Sequence, residues 1–375
     1  MNLLFNWDTL IDVTASILRC FTHNNPNSPI AATVSQAIVP APGSIRIGPF
    51  IGIPKLLRQL GYDPRPVLRR VGLSLKSMSN PDITVPLAKI GRLLSACAVV
   101  SDCPYFGLLV GQQVSATALG VLGFTIQNAT NVDTALQNLI RYRGLNDRGA
   151  FVTLGRDGAM ARLQYSIIEQ DVTGADQLND CAVAIGCNIL RSLCGPKWTP
   201  IEVLLAHDGP ADRAPFDEFF RCPVRFNAVY SGLLFNRRWL EKAPPGAEPL
   251  LYRHMLREAR DLHHEEPAET HEMLLLLRAL LRAGLFKQEE VAALLGINRR
   301  TLGRQLRSAG TTFRYEVEAM RFAQAKHLLA DATLNTKQVA FTLSYVDVSA
   351  FTHAFKRWSG MSPGQWRKSK DRYPT

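Results

Sequence analysis

Four arginines, Arg299, Arg300, Arg304 and Arg307, fall within nine residues, and no Asp or Glu occurs from Ile297 to Phe313. A guanidinium is a planar fork of donors that stays charged. It matches two acceptors at once, on a guanine edge or on phosphate oxygens. Arg300 and Arg304 are four apart and would share one face of a helix, while Leu302 and Leu306 fall on the opposite face. The chemistry this pattern supports is recognition of a polyanion. The bland reading is the solvated basic face of an ordinary helix, and one such stretch would not separate the two.

A second copy separates them. Val291-Ala292-Ala293-Leu294-Leu295 is followed by Gly296, Asn298, Leu302 and Leu306; Val339-Ala340-Phe341-Thr342-Leu343 is followed by Ser344, Asp347, Phe351 and Phe355. Val291 and Leu295 map to Val339 and Leu343 at an offset of 48, and Leu302 and Leu306 map to Phe351 and Phe355 at 49, so one extra residue falls in the turn. The apolar residues three and four apart predict a short helix, Gly296 a tight turn, and Asn298 and Asp347 the side-chain caps of a second helix. Each copy therefore reads as helix-turn-helix, a DNA-reading arrangement. The candidate base readers are the outward residues early in each second helix: Arg300 and Arg304 in the first copy, and Ser349, Thr352 and His353 in the second. Arg299, Arg307, Lys356 and Arg357 are the candidate phosphate contacts, which position the protein without specifying sequence. The two long forked donors of the first copy predict sharper base choice there than the shorter side chains of the second allow.

These residues resemble the AraC/XylS family of bacterial transcription regulators. Arg321-x3-Ala325-x2-Leu328-Leu329 looks like the helix that joins the family's two readers. Val339-Ala340-x2-Leu343-x-Tyr345-x-Asp347-x-Ser349-x-Phe351-x3-Phe355-Lys356-Arg357-x2-Gly360-x-Ser362-Pro363-x2-Trp366-Arg367 looks like its second reader and closing helix. The resemblance covers about 100 residues and implies base contacts at the aligned positions named above. Two departures stand out. Ser344 occupies a position where the family usually has glycine, which predicts a less sharp second turn, and His353 occupies one where it usually has arginine. The region from about Gly48 to Leu262 resembles, more weakly, the regulatory domain of one branch of that family. What this implies is a sensing or dimerising role: a small organic effector, a second copy of the chain, and RNA polymerase if the protein activates. It names no effector-binding residues.

The rest of the chain must carry these readers. Its 375 residues suffice for two or three domains, and 46% hydrophobic against 20% charged residues reads as globular. The net charge of +11 is concentrated: from His271 onward there are 17 Lys+Arg against 8 Asp+Glu, while the preceding residues are near neutral. A basic domain beside a neutral one points to a polyanion partner for the tail third, namely double-stranded DNA, and to no membrane partner. A helix from about Thr312 to Ala330, about 19 residues and roughly 28 Å long, joins the readers. That is close to the ~34 Å between successive major-groove faces on one side of a duplex.

The expected plan is an N-terminal extension and linker over 1–47, an α+β regulatory domain over 48–262, a linker over 263–269, and an all-α double helix-turn-helix domain over 270–375. Within 48–262, helices are expected at Ile51–Val71 (two, broken at Gly61–Pro64), Pro86–Val100, Tyr105–Val114, Asp133–Arg143, Asp176–Leu193, Phe216–Arg221 and Glu248–Leu262. Strands are expected at Phe151–Leu154 and Ala161–Tyr165, as a hairpin around Gly155–Gly158, and at Ile201–Ala206 and Tyr230–Phe235. Leu274–Leu277, Leu280 and Leu281 should form the buried first helix of the reader domain, ended by Gly284. Residues 1–21 admit two readings, an amphipathic docking helix or translated upstream sequence with no role. They lack the positive start of a signal peptide, and residues 22–45 read as a linker.

No cofactor or metal is expected. None of the seven cysteines has CxxC spacing, which suits a reducing cytoplasm. His263-His264-Glu265-Glu266 lacks HExxH spacing and abuts Pro267, so it reads as an exposed linker rather than a metal site. No phosphate-binding glycine loop or GxSxG elbow is present, and the chain is read as no enzyme. The alternatives to an effector-controlled regulator are an architectural DNA binder without effector, and an enzyme with a DNA-binding tail.

Overall fold

The computed structural model describes residues 39–169, 171–228, 230–263, 273–275, 277–278, 280–281, 285–295, 297–330, 334–343 and 345–370, which pack as one unit. Expectations for residues 1–38, for the linker residues 264–269, for the domain start at Thr270, and for Gly284, Gly296 and Ser344 lie outside the described residues.

The fold begins before Gly48, inside the stretch read as linker. Strand β1 (Ser44–Arg46) pairs antiparallel with β2 (Thr84–Pro86), and Ile45 and Ile47 are buried. The apolar alternation of Ile45 and Ile47 is the local signal, masked by the proline- and serine-rich residues before it. Helices α1 (Ile53–Gln59) and α2 (Pro64–Arg70) follow, the second capped by Asp63, whose carboxylate accepts from the Arg65 N–H at 3.0 Å. Next come α3 (Leu87–Val100), α4 (Phe106–Gln112), α5 (Val121–Gln127) and α6 (Val132–Arg141). Helix α5 was not expected. It is short, and among its residues only Gln127 is strongly polar, so it shows no polar stripe to mark the helical period.

Strands β3 (Ala150–Asp157) and β4 (Met160–Ile167) form the expected hairpin, with the turn at the end of the Gly155–Gly158 window and one residue past it. Asp157 pairs with Met160, leaving a two-residue loop whose first position, Gly158, has φ 53°. Glycine takes that left-handed conformation without the Cβ penalty. Strands β5 (Glu202–Leu204), β6 (Val224–Arg225) and β7 (Ser231–Asn236) complete a five-stranded sheet in the order β3-β4-β7-β5-β6, antiparallel except for β5 with β6. Helices α8 (Ala214–Phe220) and α9 (Pro249–Leu262) lie near their expected places.

The organising element is α7 (Ala175–Cys194), 20 residues with eleven buried. Helix α4 approaches it so closely that a Cβ on Gly107 would lie 2.1 Å from the Gln177 carbonyl oxygen, and one on Gly111 would lie 2.5 Å from that of Cys181. Only glycine permits this approach. The polar groups of the seam are satisfied: Gln177 accepts from the Gly107 N–H and donates to the Pro104 carbonyl, and Asn188 donates to carbonyls at the end of α4. Sheet, α4 and α7 thus form the α+β part expected from the sequence. Cys97, Cys181, Cys187 and Cys194 are buried in it as free thiols; burial pushes Cys97, Cys187 and Cys194 up to about 12, so they stay protonated.

The C-terminal part is helical. Residues 273–275, 277, 278, 280 and 281 are helical, followed by α10 (Gln288–Leu294), α11 (Arg299–Ser308), α12 (Phe313–Ala330), α13 (Thr336–Thr342), α14 (Val348–Ser359) and α15 (Pro363–Lys370). Among the described residues no helix is long and apolar enough to cross a membrane.

Candidate nucleic-acid interface

The repeat seen in the sequence is also a repeat of hydrogen bonds. At the end of α10 the Ile297 N–H donates to the Ala292 carbonyl at 3.0 Å, and at the end of α13 the Tyr345 N–H donates to the Ala340 carbonyl at 3.0 Å. This six-residue closure satisfies carbonyls that the helix end would otherwise leave open. The second helices start on matched caps: Asn298 accepts from the Thr301 N–H at 2.8 Å, and Asp347 from the Ala350 N–H at 2.7 Å. Ile297 aligns with Tyr345, and Asn298 with Asp347. The extra residue of the second turn is therefore Val346, which is 90% exposed. Helix α13 has a further support, a reciprocal box between Asn335 and Gln338.

The caps aim α11 and α14. Leu302, Leu306, Phe351 and Phe355 are fully buried, which turns the opposite faces to solvent. Arg300, Arg304, Arg307, Ser349, His353 and Lys356 are exposed and Thr352 is half-buried. Arg300, Arg304, Lys356 and His353 make no hydrogen bond or ion pair among the described residues, so they stand ready for an external partner. Arg299 and Arg357 differ: Arg299 pairs with Glu289 of α10 at 2.9 Å, and Arg357 with Glu318 of α12 at 2.9 Å. Both arginines remain more than half exposed, so these are weak surface pairs that leave donors open.

Three residues of α12 tie the two readers together; the sequence motif of the joining helix includes Arg321, and Glu316 and Glu318 had been assigned no role. Glu316 is buried, 2% exposed, and receives Arg278 Nε at 2.8 Å, Arg278 Nη2 at 3.2 Å and the Thr311 hydroxyl at 2.9 Å. Burial alone would raise its carboxyl, but the bonds from Arg278 and Thr311 outweigh it and hold it below the usual range. Glu318 binds Arg314 and Arg357 and accepts from the Trp358 indole. Arg321 lies between two rings, 4.5 Å from the centroid of Phe286, just ahead of the first repeat, and 4.8 Å from that of Tyr345 in the second. For the two glutamates the hint in the sequence was that they are acids in a basic domain. At the C-terminal end, Trp366 packs edge-on against Phe322 and Phe355, and Arg367 donates to the carbonyls of Leu329 and Leu334. This closes the second reader.

The first reader also borrows a residue from the sheet. Phe151, on edge strand β3, is buried in the same cluster as Leu277, Leu281, Val291, Leu302 and Leu306, and Arg143 lies 4.5 Å over its ring. Side chains alternate along a strand, so the next residue, Val152, faces the other way. It lines a cavity of about 110 Å³ between α7 and strands β3, β4 and β7, whose walls include Leu122, Leu139, Leu163, Ile189 and Leu233. The lining comes from segments between Ile45 and Leu233, which is why no local pattern in the sequence marked it. Among the described residues no group of three or more His, Cys, Asp or Glu could hold a metal, and His264-Glu265-Glu266 lie outside them.

Residues 61–243 match the family model described as the arabinose-binding domain of AraC transcription regulator, N-term, and residues 291–369 match that of a helix-turn-helix domain. Together the two matches span more than two-thirds of the chain. The HTH-type transcriptional regulator VirS of Mycobacterium tuberculosis is 28% identical over 326 residues, covering 86% of this chain and 96% of that protein. The ornithine utilization regulator of Pseudomonas aeruginosa is 24% identical over 298 residues, covering 78% and 87%. The crystal structure of the transcriptional regulator CdpR from Pseudomonas aeruginosa aligns over 84% of this chain and 98% of that one, at 22% identity and a TM-score of 0.41. With an arabinose-binding-type domain ahead of a paired helix-turn-helix reader, the chain belongs to the AraC family of DNA-binding transcription regulators.

Proposed function

We propose that this regulator reads DNA bases through Arg300 and Arg304 in one major-groove segment and through Ser349, Thr352 and His353 in the next. Arg299, Arg307, Lys356 and Arg357 bind the flanking phosphates. The observation that carries this reading is the duplicated cap and turn geometry, which turns exposed Arg300 and Arg304, unpaired among the described residues, outward from a buried leucine face. Helix α12 has 18 residues and spans about 27 Å, which suits two readers on one side of a duplex. The working division is a regulatory domain over 48–262, joined by 263–269 to a reader domain over 270–375, with β1 at Ser44–Arg46 belonging to the regulatory part.

In the same reading, a small organic molecule binds the regulatory domain and controls the DNA readers, and the chain itself catalyses no reaction. Support comes from the cavity beside α7, from the reader domain's reliance on Phe151 of β3, and from relatives that are transcription regulators. The protein acts in the cytoplasm, as a homodimer or through contact with RNA polymerase when it activates. Footprinting of the full-length protein on genomic fragments tests the reading. Discrete protected sites that weaken with Arg304→Ala are expected, and uniform coating of DNA would favour an architectural binder.

A further inference from the structure

The cavity beside α7 has a mostly apolar lining, and its polar lining side chains are Arg143, Asn146, Asp147, Gln164 and Tyr165. Four of these five are already engaged. The Gln164 amide oxygen accepts from the Thr153 hydroxyl at 3.3 Å. Asp147 accepts from the Gly149 N–H at 2.7 Å and from the Tyr165 hydroxyl at 3.1 Å. Arg143 lies over the Phe151 ring and donates toward the Ala150 carbonyl. Asn146 is different. It is 7% exposed, and its Oδ1 is buried without a hydrogen-bond partner among the described residues. Its backbone is held on both sides, the N–H by the Arg143 carbonyl and the carbonyl by the Arg46 N–H, each at 2.8 Å. These bonds fix the backbone and leave the side-chain amide to turn about its own torsions. A buried acceptor left open costs free energy that a bound donor would recover.

Size narrows the class further. A cavity of about 110 Å³ is somewhat smaller than the ~150 Å³ apolar cavity that takes up benzene. Apolar walls on the remaining sides penalise a charged ligand. We propose that this cavity binds a compact, uncharged, largely apolar molecule of about six to eight non-hydrogen atoms carrying one hydrogen-bond donor, a phenol or short-chain alcohol in type, with that donor on Asn146 Oδ1. This rests on the reading of the regulatory domain as a small-molecule sensor and names the chemistry it senses.

Full-length protein is titrated calorimetrically with phenol, with anisole, which accepts but cannot donate, and with benzene, which does neither. Phenol should bind about tenfold tighter than either, the margin of one buried hydrogen bond. Asn146→Leu should abolish that preference and leave benzene binding intact. Gly186→Leu, which places a side chain into the cavity from α7, should remove binding of all three and serves if Asn146→Leu fails to fold. Equal affinity for phenol and anisole, an unchanged phenol preference in Asn146→Leu, or no binding of phenol at millimolar concentration overturns the assignment. DNA affinity, read by anisotropy on the same samples, tests the sensor reading separately. Phenol that binds as described while DNA affinity stays constant supports the cavity's chemistry and removes its regulatory role.

Discussion

Replacing Arg304 with alanine should weaken specific DNA binding without weakening the fold. Arg304 is exposed on α11, two residues from each of the fully buried Leu302 and Leu306, and has no hydrogen bond or ion pair among the described residues. Folding stability should therefore change by no more than about 0.5 kcal/mol, the usual range for such a surface position. A bidentate arginine–guanine pair discriminates by about 1–3 kcal/mol, so affinity for the mapped site should fall by about 5- to 150-fold at 25 °C. The loss should vanish on a duplex in which the base opposite Arg304 is already substituted. Arg357→Ala makes a contrasting control. Its guanidinium is shared with Glu318 and is expected on phosphate. It should lower affinity uniformly across sequences and reduce the slope of log affinity against log salt by about 1. His353→Ala should change affinity little, because one ring donor replaces a fork. Anisotropy titrations at three salt concentrations, with melting curves for each variant, separate these effects. A loss for Arg304→Ala that is the same on every duplex, or a loss at His353 that matches or exceeds it, would refute the assignment of base reading to the first repeat.

Three other outcomes follow from contacts between elements. Arg321→Ala removes a guanidinium held between Phe286 and Tyr345, about 1–3 kcal/mol of cation–π contact. It should reduce affinity for the full site more than for a duplex carrying one half-site, and equal losses on both would count against a bridging role. Phe151→Ala empties a position in the first reader's core, for which about 3–5 kcal/mol is the usual cost; hydrogen exchange should show faster opening around Val291 and Leu302, with α7 unaffected. Burial pushes the Asp147 carboxyl up to about 6 from 3.8, against the opposing bonds from Gly149 and Tyr165. Between those values the folded state keeps a proton that the unfolded chain has lost, so this group's contribution to stability is lost as pH rises from about 4 to 7. Asp147→Asn should match the parent near pH 4 and exceed it by up to about 3 kcal/mol above pH 7 in denaturant titrations, and a gap that does not widen with pH would contradict this.

The reader domain was legible because its determinants are local. Asn298 caps Thr301 and Asp347 caps Ala350 three residues on, the helix closures join residues five apart, and the leucine and phenylalanine faces follow the helical period. Such contacts leave a mark at short spacing, and their repetition at offsets of 48 and 49 made the mark specific. The hairpin and most helices of the regulatory part were legible for the same reason, with boundaries shifted by a few residues. What tertiary structure alone decided lies across long separations. Ser44–Arg46 joins the fold because it finds Thr84–Pro86, about forty residues away. Arg321 acquires its place from the rings of Phe286 and Tyr345, and Glu316 its charge from Arg278. Phe151 serves a core that begins more than a hundred residues later. The cavity has walls from Ile45 to Leu233, and Asn146 Oδ1 lacks a partner among the described residues because packing buried it without supplying a donor. Sequence pattern records which residues prefer the interior; it does not record which interior atoms are left without a partner, because that is settled only when distant segments meet.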